Sequence, residues 1–389
     1  MRFFYIFLLV SAVSCGKIPK EYARAMNELA VDLCKEFMGQ RNNVVYSPYS
    51  LETILGLLTI GAKGDTADEL KKLLQLRSPD ETLKSEFKFM QTEINGLDDV
   101  TMTSANKIYL GENFKIESDF LKTATEDFDA GVQNIDFKNT KDAVNEINSW
   151  VGNKTHNKIQ NLLSEDKLDD DTRMVLVNAF YFKGEWQHPF KVLDTEKKNF
   201  HISKNETVKV DTMKVTATMF VHHVHEHKVT FLRLPYRGGN GKIFLTIVLS
   251  HDIDVLHHMQ AHLKRTIPKF NFTAEHMTVY LPKFRVEANL DLKPTLKKMG
   301  ITKLFSTPNL SGITKESVAV DAVTQKVFIN VDEQGTEAAA ATAAEAVPCS
   351  DDLPDPTIPV YKVDRPFFFC LQYDDLPIIT GSITDPSKA

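Results

Sequence analysis

Histidine, cysteine, serine and carboxylate side chains are where a chemical reading of this chain begins. The run His222-His223-Val224-His225-Glu226-His227 would put His223, His225 and His227 on one face of an extended strand, a spacing that suits a metal ion. No nearby cysteine or carboxylate obviously completes a ligand set, so a solvated strand face is the competing reading and no metal is assigned. The four cysteines are Cys15, Cys34, Cys349 and Cys370, too few for a disulfide scaffold in 389 residues. Cys34 and Cys370 stand in apolar runs, where a buried thiol is expected; Cys349 stands among Ala, Pro and Asp with nothing apolar to bury it. Gly-x-Ser-x-Gly, His-Glu-x-x-His and the P-loop pattern are all absent, and Gly238-Gly239-Asn240-Gly241 reads only as a turn. An enzyme is not expected, and no cofactor is implied.

The stretch from Glu333 to Ser350 is more informative. By propensity Ala338 to Ala346 reads as a short helix or a low-complexity linker. Counted in twos it also reads as a strand. Thr336, Ala338, Ala340, Thr342, Ala344 and Ala346 then share a small, uncharged face, and Glu337, Ala339, Ala341, Ala343, Glu345 and Val347 share the other. Such a segment can slide between two strands, bury its small face and leave Glu337 and Glu345 in water.

Glu333-Gln334-Gly335-Thr336-Glu337-Ala338-Ala339-Ala340-Ala341-Thr342 resembles the hinge of inhibitory serpins, where a glutamate often stands at the place of Gln334. Four further stretches resemble serpin signatures in the family's order: Asn43 to Ser50, Gly61 to Thr66, Val177 to Trp186 and Asp364 to Phe369. The alanine-rich hinge and Val363-Asp364-Arg365-Pro366-Phe367 look most like the secreted serpins of ticks and related arthropods.

The resemblance implies an α+β serpin fold, with helices around a large mixed sheet, two smaller sheets and an exposed reactive loop at about 335–361. It implies a suicide inhibitor: a serine protease acylates on the loop, and the freed segment enters the large sheet before the ester is hydrolysed. Counting from the hinge as the family does places the reactive bond at Cys349-Ser350. Leu353 is the alternative, and requires an insertion before the cleaved bond. Ser47, Ser50, Asn178 and Trp186 resemble the family's sheet-opening region, with Gln325 where many members carry histidine. No lysine or arginine lies between Gly335 and Tyr361, so chymotrypsin-like or elastase-like targets are expected over trypsin-like ones. The alternatives are a non-inhibitory serpin-fold carrier or chaperone, and a secreted glycan- or metal-binding protein. Against a carrier, Thr336, Ala338, Ala340 and Thr342 are small where non-inhibitory members tend to be bulky, charged or proline.

The elements that must position these residues follow from periodicity. Helices are expected over Ile18–Met38, from a Ser50 cap through Ile60, and over Asp65–Leu76, Asp80–Ile94, Glu117–Asp129, Thr140–Leu163, Val255–Thr266 and Leu292–Met299. The second of these is apolar nearly all round and must be central. Strands are expected over Val100–Leu110, Val132–Phe137, Met174–Phe182, Met219–Leu234, Lys242–Leu249, Met277–Glu287, Val318–Asp332, Phe367–Tyr373 and Ile378–Ile383. Helices first and mixed strands after indicate α+β.

Met1-Arg2 followed by Phe3 to Val10 reads as a secretory signal cleaved near residue 15, leaving a single domain over 16–389 outside the cell. No other run is long and apolar enough to be transmembrane. The sequons at Asn153, Asn205, Asn271 and Asn309 agree with secretion. A net charge of −6 gives no general basic field, so nucleic acid is not an expected partner. Lys293, Lys297, Lys298 and Lys303 form a candidate glycosaminoglycan contact, against the reading of a solvated helix face. The expected partner is a serine protease, and the expected state a monomer.

Overall fold

The computed structural model describes residues 18–37, 42–225, 228–253, 271–336 and 356–388. A helical N-terminal half leads into a strand-rich second half. The elements run α1 (Lys20–Phe37), β1 (Val44–Tyr46), α2 (Pro48–Gly61), α3 (Gly64–Leu73), α4 (Asp80–Asn95), β2 (Val100–Gly111), α5 (Ser118–Phe128), β3 (Ala130–Ile135), α6 (Thr140–Lys154) and β4 (Met174–Glu185). They continue β5 (Glu196–Ser203), β6 (Glu206–Val224), β7 (Val229–Pro235), β8 (Ile243–Ser250), β9 (Thr273–Pro282), β10 (Phe284–Asp291), α7 (Lys293–Lys298), β11 (Ala322–Val331), β12 (Gly335–Thr336), β13 (Val360–Lys362), β14 (Phe367–Tyr373) and β15 (Leu376–Ile383).

Two sheets organise these elements. The six-stranded sheet runs β10-β11-β12-β4-β2-β3, and it is mixed: β4 is parallel to β11 and antiparallel to β2, while β2 and β3 are parallel. The nine-stranded sheet runs β1-β15-β14-β8-β7-β6-β9-β13, with β5 on β6. The two smaller sheets expected from the resemblance are joined there through β6, which pairs successively with β5, β9 and β7.

The six-stranded sheet is buried on both faces, which is why β4 reads as an almost continuous apolar run. One face joins the main core with α2, and the other packs Tyr109, Val175, Val177 and Tyr181 against Ile147 and Val151 of α6. Helix α2 is buried nearly all round, as its composition requires.

Several sequence boundaries are corrected. Ser47, and not Ser50, caps α2: its Oγ accepts from the Ser50 N–H at 3.1 Å, and Pro48 takes the first turn, where its missing donor costs nothing. Helix α6 stops at Lys154, well short of Leu163, because His156, Asn157 and Asn161 turn the chain through positive φ. The expected Met219–Leu234 strand is the end of β6 and all of β7, separated by a turn in which the Lys228 N–H reaches the His225 carbonyl at 3.3 Å. The alternation proposed for the histidine run therefore ends at Val224, and His227 lies outside the described residues. Met277–Glu287 is likewise two strands in different sheets, broken at Lys283 after Pro282. Strand β5 and the first half of β6 were not expected; both are mostly polar and exposed, with only Phe200, Val210, Thr212 and Met213 buried. The expected helix Val255–Thr266 lies outside the described residues.

Candidate functional site

The site is the seam between β4 and β11. From Ala322↔Val175 to Phe328↔Tyr181 the two strands are zipped in parallel register. Above that they part, and β12 stands between them: Thr336 is opposite Val331 on one side and Gly184 on the other, and Gly335 is opposite Glu185. Both pairings of β12 are antiparallel.

A tight turn delivers β12. The Asp332 carboxylate accepts from the backbone N–H groups of Gln334 at 3.0 Å and Gly335 at 3.3 Å, and the Asp332 N–H donates to the Gly335 carbonyl at 2.9 Å. Burial pushes the Asp332 carboxyl above its usual range despite those two donors. Only glycine fits at 335, because a Cβ there would lie 2.0 Å from the Gly184 carbonyl oxygen.

Trp186 closes the top. Its indole N–H donates to the Asp332 carbonyl at 2.9 Å, its backbone N–H to the Gln334 carbonyl at 2.9 Å, and its ring stacks on Tyr236 at 4.4 Å. The Tyr236 hydroxyl meets the Thr336 Oγ at 2.5 Å, and Thr336 is 0% exposed. Beside it Glu333 is buried. Burial would raise its carboxyl, but Lys283 Nζ at 2.8 Å, its own backbone N–H and the Thr195 hydroxyl at 2.8 Å bring it below the ordinary range. The Phe190 N–H donates to the Glu333 carbonyl at 2.9 Å.

Lower in the seam, Gln325, Asn178 and Asn106 stand in register across β11, β4 and β2. Gln325 Nε2 donates to Asn178 Oδ1 at 2.6 Å and to the Ser47 carbonyl at 3.0 Å, while its Oε1 accepts from the Ser47 N–H at 2.9 Å. Asn178 Nδ2 contacts the Ser50 carbonyl at 2.8 Å, Ser50 Oγ at 2.6 Å and Asn106 Oδ1. Ser47 Oγ donates to the Ile378 carbonyl at 2.8 Å. The four cluster residues expected from sequence are thus brought together. Buried amides and hydroxyls whose partners lie on separate elements can exchange those partners when the elements move apart. A segment beyond α6 lies on the β10–β11 side, held by Lys326 Nζ on the Gln160 carbonyl at 2.6 Å and Asn289 on the Leu162 carbonyl at 2.8 Å.

Tyr236, Lys283, Thr195, Phe190 and Asn106 belong to the site but were not read from the sequence. Their partners are remote in the chain, and the available signals, an aromatic before a glycine turn and a lone lysine between Pro282 and Phe284, carry no pairing information. Glu333, Gln334, Gly335 and Thr336 are placed as above. Glu337, Ala338, Ala339, Ala340, Ala341, Thr342, Cys349 and Ser350 lie outside the described residues.

Elsewhere, Asn153, Asn205, Asn271 and Asn309 are all exposed. The four lysines do not form one open face: Lys298 pairs with Glu36 at 3.5 Å, Lys303 with Asp65 at 4.0 Å, and Lys293 donates to the Asp321 carbonyl. Among the described residues no three His, Cys, Asp or Glu side chains converge as metal ligands, and no helix is long and apolar enough to cross a membrane. Cys34 and Cys370 are buried, and burial pushes both thiols up to about 12.

The family model described as "Serpin (serine protease inhibitor)" matches residues 24–386. Alaserpin of Manduca sexta is 37% identical over 355 residues, 88% of each chain. Alpha-1-antitrypsin 1-2 of Mus musculus is 31% identical over 380 residues, 94% of this chain and 89% of that protein. The crystal structure of Serpin48 from Tenebrio molitor superposes with a TM-score of 0.87 at 34% identity, covering 94% of this chain and 98% of that one.

Proposed function

The chain belongs to the serpin family of serine protease inhibitors, and from that premise we propose that it traps its target as a suicide substrate. The observation that carries this reading is the seating of Gly335 and Thr336 between β4 and β11, with Thr336 fully buried. The first residues of the alanine-rich segment already occupy the place that the rest would fill. Because β12 is antiparallel to both neighbours, its extension replaces one parallel seam with two antiparallel ladders and adds backbone hydrogen bonds on each side.

In the proposed cycle the protease serine Oγ attacks the Cys349 carbonyl, the Cys349–Ser350 peptide bond breaks, and the Ser350 amine leaves with the proton relayed by the protease histidine. Cys349 is then an ester on the protease. The segment Gly335–Cys349 spans 15 residues, on the order of 50 Å as a strand, enough to carry the protease along the sheet. Insertion parts Gln325 from Asn178, and the exchangeable partners around Ser47 and Ser50 ease that step. Glu333, Gln334, Gly335, Thr336, Glu337 and the small residues to Thr342 act as the hinge, and Trp186 as the lid of the opening.

The same reading takes residues 16–389 as one secreted, glycosylated, monomeric domain and favours a target with a hydrophobic or shallow specificity pocket. The test is incubation with chymotrypsin-like, elastase-like and trypsin-like proteases under reducing conditions, followed by denaturing electrophoresis and mass spectrometry. A denaturant-resistant 1:1 complex, with release of the fragment beginning at Ser350, is the expected result. Cleavage without a complex would favour the carrier or chaperone reading.

A further inference from the structure

The helix that pins the seam carries a buried acid that the inhibitory cycle does not use. Glu52 lies on α2, two residues beyond Ser50, and is 0% exposed with no hydrogen bond to either carboxyl oxygen. Two residues are a little over half a turn, so Glu52 lies across α2 from Ser50, on the side that α1 and α4 cover. Gly56, one turn further along the same face, approaches α4 so closely that a Cβ there would meet the Phe87 ring at 2.5 Å, and that ring packs edge-on against Tyr22 of α1 with centroids 5.3 Å apart. The Tyr22 hydroxyl is likewise buried without a partner. The titratable groups around Glu52 offer it no cation: they are Tyr22 from α1, Glu86 from α4 and Tyr49 from α2 itself, with Asp129 beyond α5 acting on Tyr49. Arg24 of α1 is engaged with Glu21 and Glu28. Glu52 therefore fits this interface only as a neutral acid.

Helix α2 links that interface to the seam. Ser47 holds Gln325 of β11 through its backbone N–H and carbonyl, and Ser50 holds Asn178 of β4 through its carbonyl and hydroxyl. Parting β4 from β11 exchanges those bonds, and α2 is released to shift as it gives them up. A shift that brings water to Glu52 lets the carboxyl ionise in its ordinary range.

We propose that Glu52 is a proton-operated latch on the seam. Neutral, it keeps α2 sealed against α1 and α4 with Ser47 and Ser50 spanning β4 and β11; ionised, it is drawn to water, carries α2 with it and lets the strands part. The closed state holds the acid neutral and the open state ionises it, so opening releases a proton. Opening is then favoured as the pH rises above about 4.3, by up to about tenfold per pH unit, until the closed group itself ionises. In acid the seam stays shut and an acylated loop is more often hydrolysed than inserted, whereas toward neutral pH insertion gains. That consequence rests on the proposed insertion; the opening itself belongs to the uncut protein.

Amide hydrogen exchange of the uncut protein reads the opening, each rate taken relative to that of a free amide at the same pH. The amides of residues 175–181 and 322–328 report the seam, and those of β14 and β15 report loss of the whole fold. Between about pH 5 and about pH 7 the opening of the seam should rise about tenfold or more in the parent and less than about twofold in Glu52→Gln, with the seam exchanging faster than β14 and β15 throughout. Glu86→Gln removes the like charge that opposes ionisation of the closed group, so its rise should level off at a lower pH than the parent's; this variant decides the matter if Glu52→Gln folds poorly. No rise at the seam, an equal rise in Glu52→Gln, a seam that exchanges only together with β14 and β15, or a rise in Glu86→Gln that levels off no earlier would overturn the latch. Cleavage without a trapped protease would overturn the insertion reading and leave the exchange result standing.

Discussion

Replacing Thr336 with arginine tests the seam at the point where it is already occupied. Thr336 is fully buried between β11 and β4, its hydroxyl on Tyr236, whose ring is covered by Trp186. The carboxylates of the adjoining turn are engaged, Asp332 by two backbone N–H groups and Glu333 by Lys283 and Thr195, so a guanidinium there has no ready partner. An unpaired buried charge costs about 3–5 kcal/mol. In the uncleaved variant β12 escapes that cost by leaving the sheet, so the cost falls on re-entry and slows insertion by roughly two to three and a half powers of ten. In the proposed cycle acylation at Cys349 precedes insertion and should be unaffected, so ester hydrolysis overtakes insertion and the inhibitor becomes a substrate. Thr336→Val is the control, since it conserves volume and loses only the bond to Tyr236, costing about 1–3 kcal/mol. The assay is the number of inhibitor molecules consumed per protease trapped. A Thr336→Arg variant that traps protease as completely as the parent would refute the insertion reasoning.

Gly335→Ala should lift β12 from the sheet, because its methyl would meet the Gly184 carbonyl oxygen at 2.0 Å; faster hydrogen exchange at the Trp186 amide, which donates to the Gln334 carbonyl, and a lower yield of trapped protease are expected. Glu52 is fully buried in α2 with neither carboxylate oxygen hydrogen-bonded, and burial, reinforced by Glu86, raises its carboxyl well above the usual range. The folded state therefore resists ionisation that the unfolded chain permits. Glu52→Gln should be neutral in acid and increasingly stabilising as the pH rises above about 4.3, by up to about 1.4 kcal/mol per pH unit, until the folded group itself ionises; urea midpoints across that range check it. Glu333 has the opposite sign: its folded carboxyl lies below the ordinary value, so the stability it gives is present above about pH 4.3 and lost as the pH falls through the folded value. Lys283→Met should flatten that acid-side loss, again read from urea midpoints. Trypsin should form no complex at the rate seen with chymotrypsin-like enzymes, since the loop carries no lysine or arginine from Gly335 to Tyr361.

Where burial is one-dimensional in sequence, the fold could be read directly. Helix α2 and strand β4 are nearly uniformly apolar because they are covered on all sides, and their central placement follows from that alone. Two boundaries failed where the chain turns without glycine or proline, at His156-Asn157 and at His225–Lys228, since positive φ on His, Asn or Lys leaves no compositional mark; a third failed despite Pro282, where the chain passes from one sheet to the other without losing its extended pattern. The seam was legible as single residues, Ser47, Ser50, Asn178 and Gln325, but not as a network. Asn106 enters because β2 sets it opposite Asn178, and Lys283 because a chain crossing between sheets brings it to Glu333. Pairings at such separations are fixed by strand register, which no local pattern records.

Entry of the cleaved segment between β4 and β11 is tested most directly by calorimetry of the intact protein beside the same protein nicked once near Cys349–Ser350 by a metalloprotease, which forms no acyl-enzyme and is therefore not trapped. Filling the seam adds two ladders of backbone hydrogen bonds and buries the face of Ala338, Ala340 and Thr342 beyond the already seated Thr336, so the nicked form should melt far above the intact one. Coincident melting of the two forms would contradict insertion.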